Sequence, residues 1–165
     1  MSRALHTAFI ALGGNLADVR TTLHAALEPL GGVGQVVRKS SLYRTAPWGK
    51  LEQPDFLNAA LELRTALEPE EVLGALLEIE RLFGRERGER WGPRTLDLDL
   101  LSYGGQVLET QELTLPHARM LERAFVLVPL LEIAPHWNHP ATGESAKDAL
   151  EKLDSSGIEK TLLEW

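Results

Sequence analysis

The sequence predicts an α+β domain with a ferredoxin-like βαββαβ core, in which an antiparallel sheet carries both helices on one face. Three observations carry that expectation. Three segments alternate at a period of two and a fourth is rich in β-branched, hydroxyl and aromatic residues, two intervening segments repeat apolar residues at helical spacing, and a further apolar stretch follows the fourth strand.

Residues 7–13 (TAFIALG) place Ala8, Ile10 and Leu12 on one face of a first strand, which stops at Gly13-Gly14-Asn15. A first helix runs from Ala17 to about Leu30 on the spacing of Val19, Leu23, Ala26, Leu27 and Leu30, and Pro29 with Gly31-Gly32 is expected to stop it. Residues 35–44 (QVVRKSSLYR), rich in β-branched, hydroxyl and aromatic side chains, read as a single second strand. A long loop, TAPWGKLEQPD, leads to a third strand at 56–64 (FLNAALELR). Pro69 suits the first turn of a second helix, where Glu70 and Glu71 complement the dipole, and Val72, Leu76, Ile79 and Phe83 make its buried stripe up to Gly84. TLDLDLLSY at 95–103 is the fourth strand. Beyond it, RAFVLVPLLEIAP suits a core helix or strand interrupted by Pro129, and 144–153 a short helix. These C-terminal elements are expected to cover the sheet's other face, giving a three-layer α/β/α domain.

A chain of 165 residues and 18.3 kDa is expected to form one domain over 1–165. The absence of cysteine excludes disulfides, thiolate nucleophiles and Cys-ligated metals, and suits a cytoplasmic protein. No apolar run approaches the roughly 20 residues of a membrane span. The opening MSRALHTAFIALGGN lacks the basic start and small-residue cleavage site of a secretion signal, so neither export nor a membrane partner is expected. A net charge of −7 argues against nucleic acid as a partner, since binding it requires a basic footprint. The charge is uneven, however. Arg81, Arg85, Arg87, Arg90 and Arg94 face only Glu86 and Glu89 in the same stretch, which suits an anionic ligand.

Alternation in the fourth strand puts Leu96, Leu98 and Leu100 on one face and Asp97 and Asp99 on the other, the two carboxylates roughly 6.6–7 Å apart at Cα. A D-x-D pair alone is compatible with a half-exposed strand whose polar side is acidic. Arg90-Trp91-Gly92-Pro93-Arg94 immediately before it adds guanidiniums for phosphate to carboxylates for Mg²⁺, the two parts that phosphoryl transfer needs. Glu80 stands beside the apolar stripe of Leu73 and Leu77 near the end of the second helix, where both desolvation and the dipole disfavour a carboxylate. An ion pair with Arg81, Arg85 or Arg87 and a ligand role both fit it. In the third strand Phe56 and Asn58 share a face, an aromatic plate beside an amide that suits a flat heterocycle as well as ordinary packing. His136-x-x-His139 lies in a Pro-flanked loop without a third ligand and reads as surface, whereas His117, followed by Arg119 and Arg123, suits an anion. P-loop, G-x-G-x-x-G, H-E-x-x-H and G-x-S-x-G motifs are absent.

Four stretches, ALGGNL at 11–16, SSLYRTAPWG with QPDFLNAALEL at 40–63, GRERGERWGPRTLDLDLL at 84–101 and LPHARMLERAFVLVPLLEIAP at 115–135, together resemble the 6-hydroxymethyl-7,8-dihydropterin pyrophosphokinase family. The resemblance implies an enzyme of folate biosynthesis that moves the terminal pyrophosphoryl unit of ATP to the pterin's hydroxymethyl oxygen, releasing AMP, with two Mg²⁺ ions. By position it implies that Asp97 and Asp99 hold the metals and that Arg85 and Arg94 neutralise charge on the transferred group. Arg87, Arg90 and Trp91 would close over ATP, with Glu80, Leu100, Thr114, His117 and Arg123 completing the nucleotide site. Phe56 and Phe125 would sandwich the pterin, Asn58 would read its edge, and Thr45, Ala46, Pro47 and Trp48 would line its pocket. A monomer is expected. Gly14, Ala46, Phe56, Glu112 and Ala118 depart from the common family pattern. A non-catalytic nucleotide-binding regulatory domain is the alternative, since a ferredoxin-like fold alone does not settle function.

Overall fold

The computed structural model describes residues 4–15, 18–46, 54–84 and 95–165. Its strands are β1 (His6–Gly14), β2 (Gln35–Lys39), β3 (Tyr43–Thr45), β4 (Phe56–Thr65), β5 (Asp97–Tyr103), β6 (Leu108–Glu109), β7 (Thr114–Leu115) and β8 (Ile158–Lys160). Its helices are α1 (Val19–Gly31), α2 (Pro69–Leu82), α3 (Ala124–Ile133) and α4 (Ala146–Glu151). The main sheet runs β5-β1-β4-β3-β8, with β2 also on β4 and every pairing antiparallel.

Local chemistry sets the helix starts. Asp18 caps α1 by accepting from the Thr21 amide at 3.3 Å. In α2, Pro69 follows Glu68, and Glu68 and Glu71 form a reciprocal capping box. The helix ends before Gly84, whose φ of 74° is readily adopted by glycine. The alternating faces then decide the layers. Ala8, Ile10, Leu12, Leu57, Leu61, Leu63, Leu98 and Leu100 bury against Leu23, Leu30, Val72, Leu76 and Ile79 of α1 and α2. Leu101, Val126, Leu127, Leu130, Ala146 and Ala149 form a second core on the opposite side, with Phe9 and Ala11 packed against it. This is the expected three-layer α/β/α domain.

Two elements differ from the sequence reading. The single strand predicted at 35–44 is two strands, both on β4. Between them the Ser40 amide donates to the Ala60 carbonyl, the Ala60 amide donates to Ser40 Oγ, and Trp165 Nε1 donates to the Ser40 carbonyl at 2.8 Å. The serine hydroxyl thus takes a ladder position and the chain slips register, as at a β-bulge. The stretch around Pro129 is a helix. Proline removes one backbone donor, yet Val126, Leu127, Pro129, Leu130 and Ile133 are all buried between the sheet and α4, and that packing holds the helix through it.

Candidate active site

Of the predicted site residues, Asp97, Asp99, Asn58, Phe56 and Thr45 share the face of the sheet away from α1 and α2. Asp97 is in register with Gly13 of β1, Gly13 with Asn58 of β4, and Asn58 with Tyr43 of β3. One row across four strands therefore carries an acid at one end and an amide two strands away, about 10 Å at the spacing of neighbouring strands. The adjacent rows hold Asp99 against Ala11 and Phe56 against Thr45. Asp97 and Asp99 are half-buried on β5, an edge strand, with Leu96, Leu98 and Leu100 buried behind them.

Gly13 is small for a reason local to this row. A Cβ there would lie 2.6 Å from Asn58 Oδ1. Asn58 is 8% exposed, and its Nδ2 donates to Thr45 Oγ1 at 3.0 Å, so amide and hydroxyl fix one another. Asn15, also buried, donates to the Pro54 carbonyl at 3.0 Å and ties the end of β1 to the approach to Phe56. Neither contact was visible in the sequence, because each needs the cross-strand partner.

At the acid end, the amide of His117 donates to the Leu101 carbonyl at 2.8 Å and holds the segment after β7 against β5. Burial pushes the His117 imidazole below its ordinary pKa. The charge of Asp99 pulls it back up, and Arg123 and Arg119 push it down. The Arg119 amide donates to His117 Nδ1 at 3.2 Å, which leaves Nε2 of the neutral ring as a donor. Acid, imidazole and guanidinium thus share one neighbourhood. The Arg123 guanidinium lies 5.8 Å from the centre of the Phe125 ring, linking this end to a cavity of about 380 Å³. Thr45, Ala46 and Phe125 line that cavity, as do Glu122, Ala124, Leu153, Asp154, Gly157 and Ile158. The wall from 153 to 158 was missed by sequence reasoning, since it reaches the site only because β8 pairs with β3.

Glu80 is 4% exposed, and its Oε2 accepts from the Leu98 amide at 2.7 Å. The Arg81 partner considered for it pairs with Glu78 at 2.7 Å on the surface. Leu100 is buried in the first core, facing away from the acid pair, so its side chain is withdrawn from a ligand there and main-chain atoms alone are left for the role expected of it. Thr114 is exposed on β7. Pro47, Trp48, Arg85, Arg87, Arg90, Trp91 and Arg94 lie outside the described residues. Among the described residues no three acidic, histidine or cysteine side chains cluster as a closed metal site. The donor set at β5 is two carboxylates, which fits a hard cation that takes its other oxygens from phosphate and water.

Fold and site define a class: a three-layer α+β domain that sets paired carboxylates, an imidazole and guanidiniums beside a pocket edged by an aromatic ring. The chain belongs to a family of that class, the 7,8-dihydro-6-hydroxymethylpterin-pyrophosphokinase (HPPK) family, whose model matches residues 9–135. It is 46% identical over 155 residues to the 2-amino-4-hydroxy-6-hydroxymethyldihydropteridine pyrophosphokinase of Synechocystis sp., covering 93% of this chain and 79% of that one. Identity is also 46% to the enzyme of that name from Methylorubrum extorquens, over 93% of this chain and 97% of the other. Among solved structures, the Plasmodium falciparum HPPK-DHPS superposes with a TM-score of 0.75 at 16% identity, over 92% of this chain and 46% of that one. The present chain thus spans about half the length of that protein, and the likeness shows the shared fold.

Proposed function

We propose that the chain transfers pyrophosphate from ATP to the hydroxymethyl group of 6-hydroxymethyl-7,8-dihydropterin, giving AMP and the pterin diphosphate, a step of folate biosynthesis. The observation that carries this reading is the row from Asp97 through Gly13 to Asn58, with acids at one end and an amide read-out at the other. That span of about 10 Å suits a ring at one end and a phosphate chain at the other.

In the reaction the pterin's hydroxymethyl oxygen attacks the β-phosphorus of ATP, the bond from that phosphorus to the α,β-bridging oxygen breaks, AMP leaves, and the hydroxyl proton is lost. Such a displacement needs in-line positioning and charge neutralisation more than a strong base. Asp97 and Asp99 would hold Mg²⁺, two ions by the family resemblance. When bound, Mg²⁺ neutralises phosphate charge and lowers the hydroxyl's hold on its proton. His117 donates from Nε2 to a phosphate oxygen and Arg123 adds positive charge. Phe125 stacks on the pterin with Phe56 opposite, Asn58 orients its edge, and Thr45 holds Asn58. By the same resemblance, Arg85 and Arg94 offset charge on the transferred group, Arg87, Arg90 and Trp91 close over ATP, and Pro47 and Trp48 complete the pocket. We propose further that it works as a single-domain monomer in the cytoplasm. Among the described residues no helix is long and apolar enough to cross a membrane.

The test is chromatographic detection of AMP with ATP, Mg²⁺ and the dihydropterin, each omitted in turn. AMP formed only when all three are present supports the transfer. ATP bound without AMP appearing favours the regulatory-domain reading instead.

A further inference from the structure

We infer that Glu80 is a positioning residue for the acid pair, acting through the main chain of β5; the inference rests on the reading that Asp97 and Asp99 hold the cation. β5 is an edge strand, so β1 satisfies only one side of its backbone and alternate amides point outward. The outward amide of Leu98 lies between the two aspartates in sequence, and it donates to Glu80 Oε2 at 2.7 Å. At that length the acceptor oxygen holds the peptide between the two acids in one position.

The location is unfavourable for a carboxylate on other grounds. Glu80 is 4% exposed, sits one residue from the buried Ile79, and lies in the last turn of α2, where the helix dipole is negative. A bond to the strand that carries both acids gives the carboxylate a use. Two like charges on neighbouring same-face positions repel, and an edge strand held on one side yields to that repulsion. Anchoring the peptide between them fixes the Asp97–Asp99 spacing before a cation arrives. Outer groups that orient metal-binding side chains in this way typically set about 10- to 100-fold of metal affinity.

The experiment uses the full chain, ¹⁵N-labelled, wild type and with Glu80→Gln and Glu80→Leu. Glutamine keeps an acceptor oxygen without the charge, whereas leucine keeps bulk without an acceptor. Two quantities are read: the shift and hydrogen exchange of the Leu98 amide without ligand, and the Mg²⁺ midpoint of a titration with α,β-methylene-ATP and no pterin. In Glu80→Leu the Leu98 amide is expected to move upfield and exchange faster, and the Mg²⁺ midpoint to rise about tenfold or more. Glu80→Gln is expected to return most of the Mg²⁺ affinity. A midpoint in Glu80→Leu within about twofold of wild type would overturn the inference, since it lies well below the effect of orienting groups. So would a Gln variant as weak as the Leu variant, which would mark direct ligand contact or charge as the operative property. A wild type that binds no Mg²⁺ with the analogue overturns it as well. Absence of AMP formation in the wild type sinks only the proposed reaction, because neither readout uses the pterin.

Discussion

Gly13 shows how a single residue serves the site. It lies between Asp97 and Asn58 in register, and the space a Cβ would fill is held by the Asn58 side chain. Gly13→Ala is expected to push Asn58 off Thr45, to cost about 1–3 kcal/mol by overpacking, and to raise the KM for the pterin more than that for ATP. Urea unfolding with steady-state kinetics checks both, and an unchanged pterin KM would contradict the assigned use of Asn58. At this scale the sequence was legible wherever one strand suffices. Alternation alone separated Asp97 and Asp99 from Leu96, Leu98 and Leu100, and Asn58 from Leu57 and Ala59. It was silent where a partner decides: Gly13 is ordinary until Asn58 is set opposite it, and Glu80 could not be assigned until Leu98 was found above its carboxylate.

Among the elements, α3 is tied to β3 by Glu132, which accepts from the Ser41 amide, the Ser41 hydroxyl and, at 2.6 Å, the Tyr43 hydroxyl. Burial alone would raise the Glu132 pKa, but the bonds from Tyr43 and Ser41 and the charge of Lys160 outweigh it and hold the carboxyl below its ordinary value. Burial, with the bond and charge of Glu132, raises the Tyr43 pKa, so its hydroxyl remains a donor through neutral pH. A carboxyl depressed in the folded state contributes stability that is present above its unfolded value and lost as pH falls through the folded one. Tyr43→Phe is therefore expected to cost about 1 kcal/mol at pH 7, and the difference from wild type should shrink below about pH 4.5. Chemical denaturation across pH 3–7 measures it; a difference independent of pH would contradict the linkage. The elements that carry this tie were harder to read than the core. The second strand breaks because the Ser40 hydroxyl enters the ladder, and α3 passes through Pro129 because burial on two sides outweighs one missing donor. Local propensity contains neither fact.

For the whole molecule, the sheet separates two jobs. The core against α1 and α2 fixes the strands, and the opposite face gathers acid pair, imidazole and cavity from segments far apart in the chain. The βαββαβ order was legible because the first, third and fourth strands and both helices bury an apolar face that shows as periodicity, while the second strand, with no buried residue over Gln35–Lys39, was read from its β-branched, hydroxyl and aromatic content. The closing stretch was not, because β8 is short and largely exposed, and its place follows from pairing with β3 rather than from any pattern of its own. Beyond it Trp165 is buried under Lys39 and bonded to Ser40, and so closes the gap between β2 and β3.

The central claim is that two carboxylates on one edge strand make the transfer metal-dependent while the rest of the domain supplies position. It is tested most directly by AMP release from ATP and the dihydropterin over a Mg²⁺ series, wild type beside Asp97→Ala. The account predicts a folded variant whose turnover is lost at limiting Mg²⁺, with the half-saturating concentration raised about tenfold or more wherever activity remains. Wild-type turnover by Asp97→Ala at limiting Mg²⁺ would contradict it.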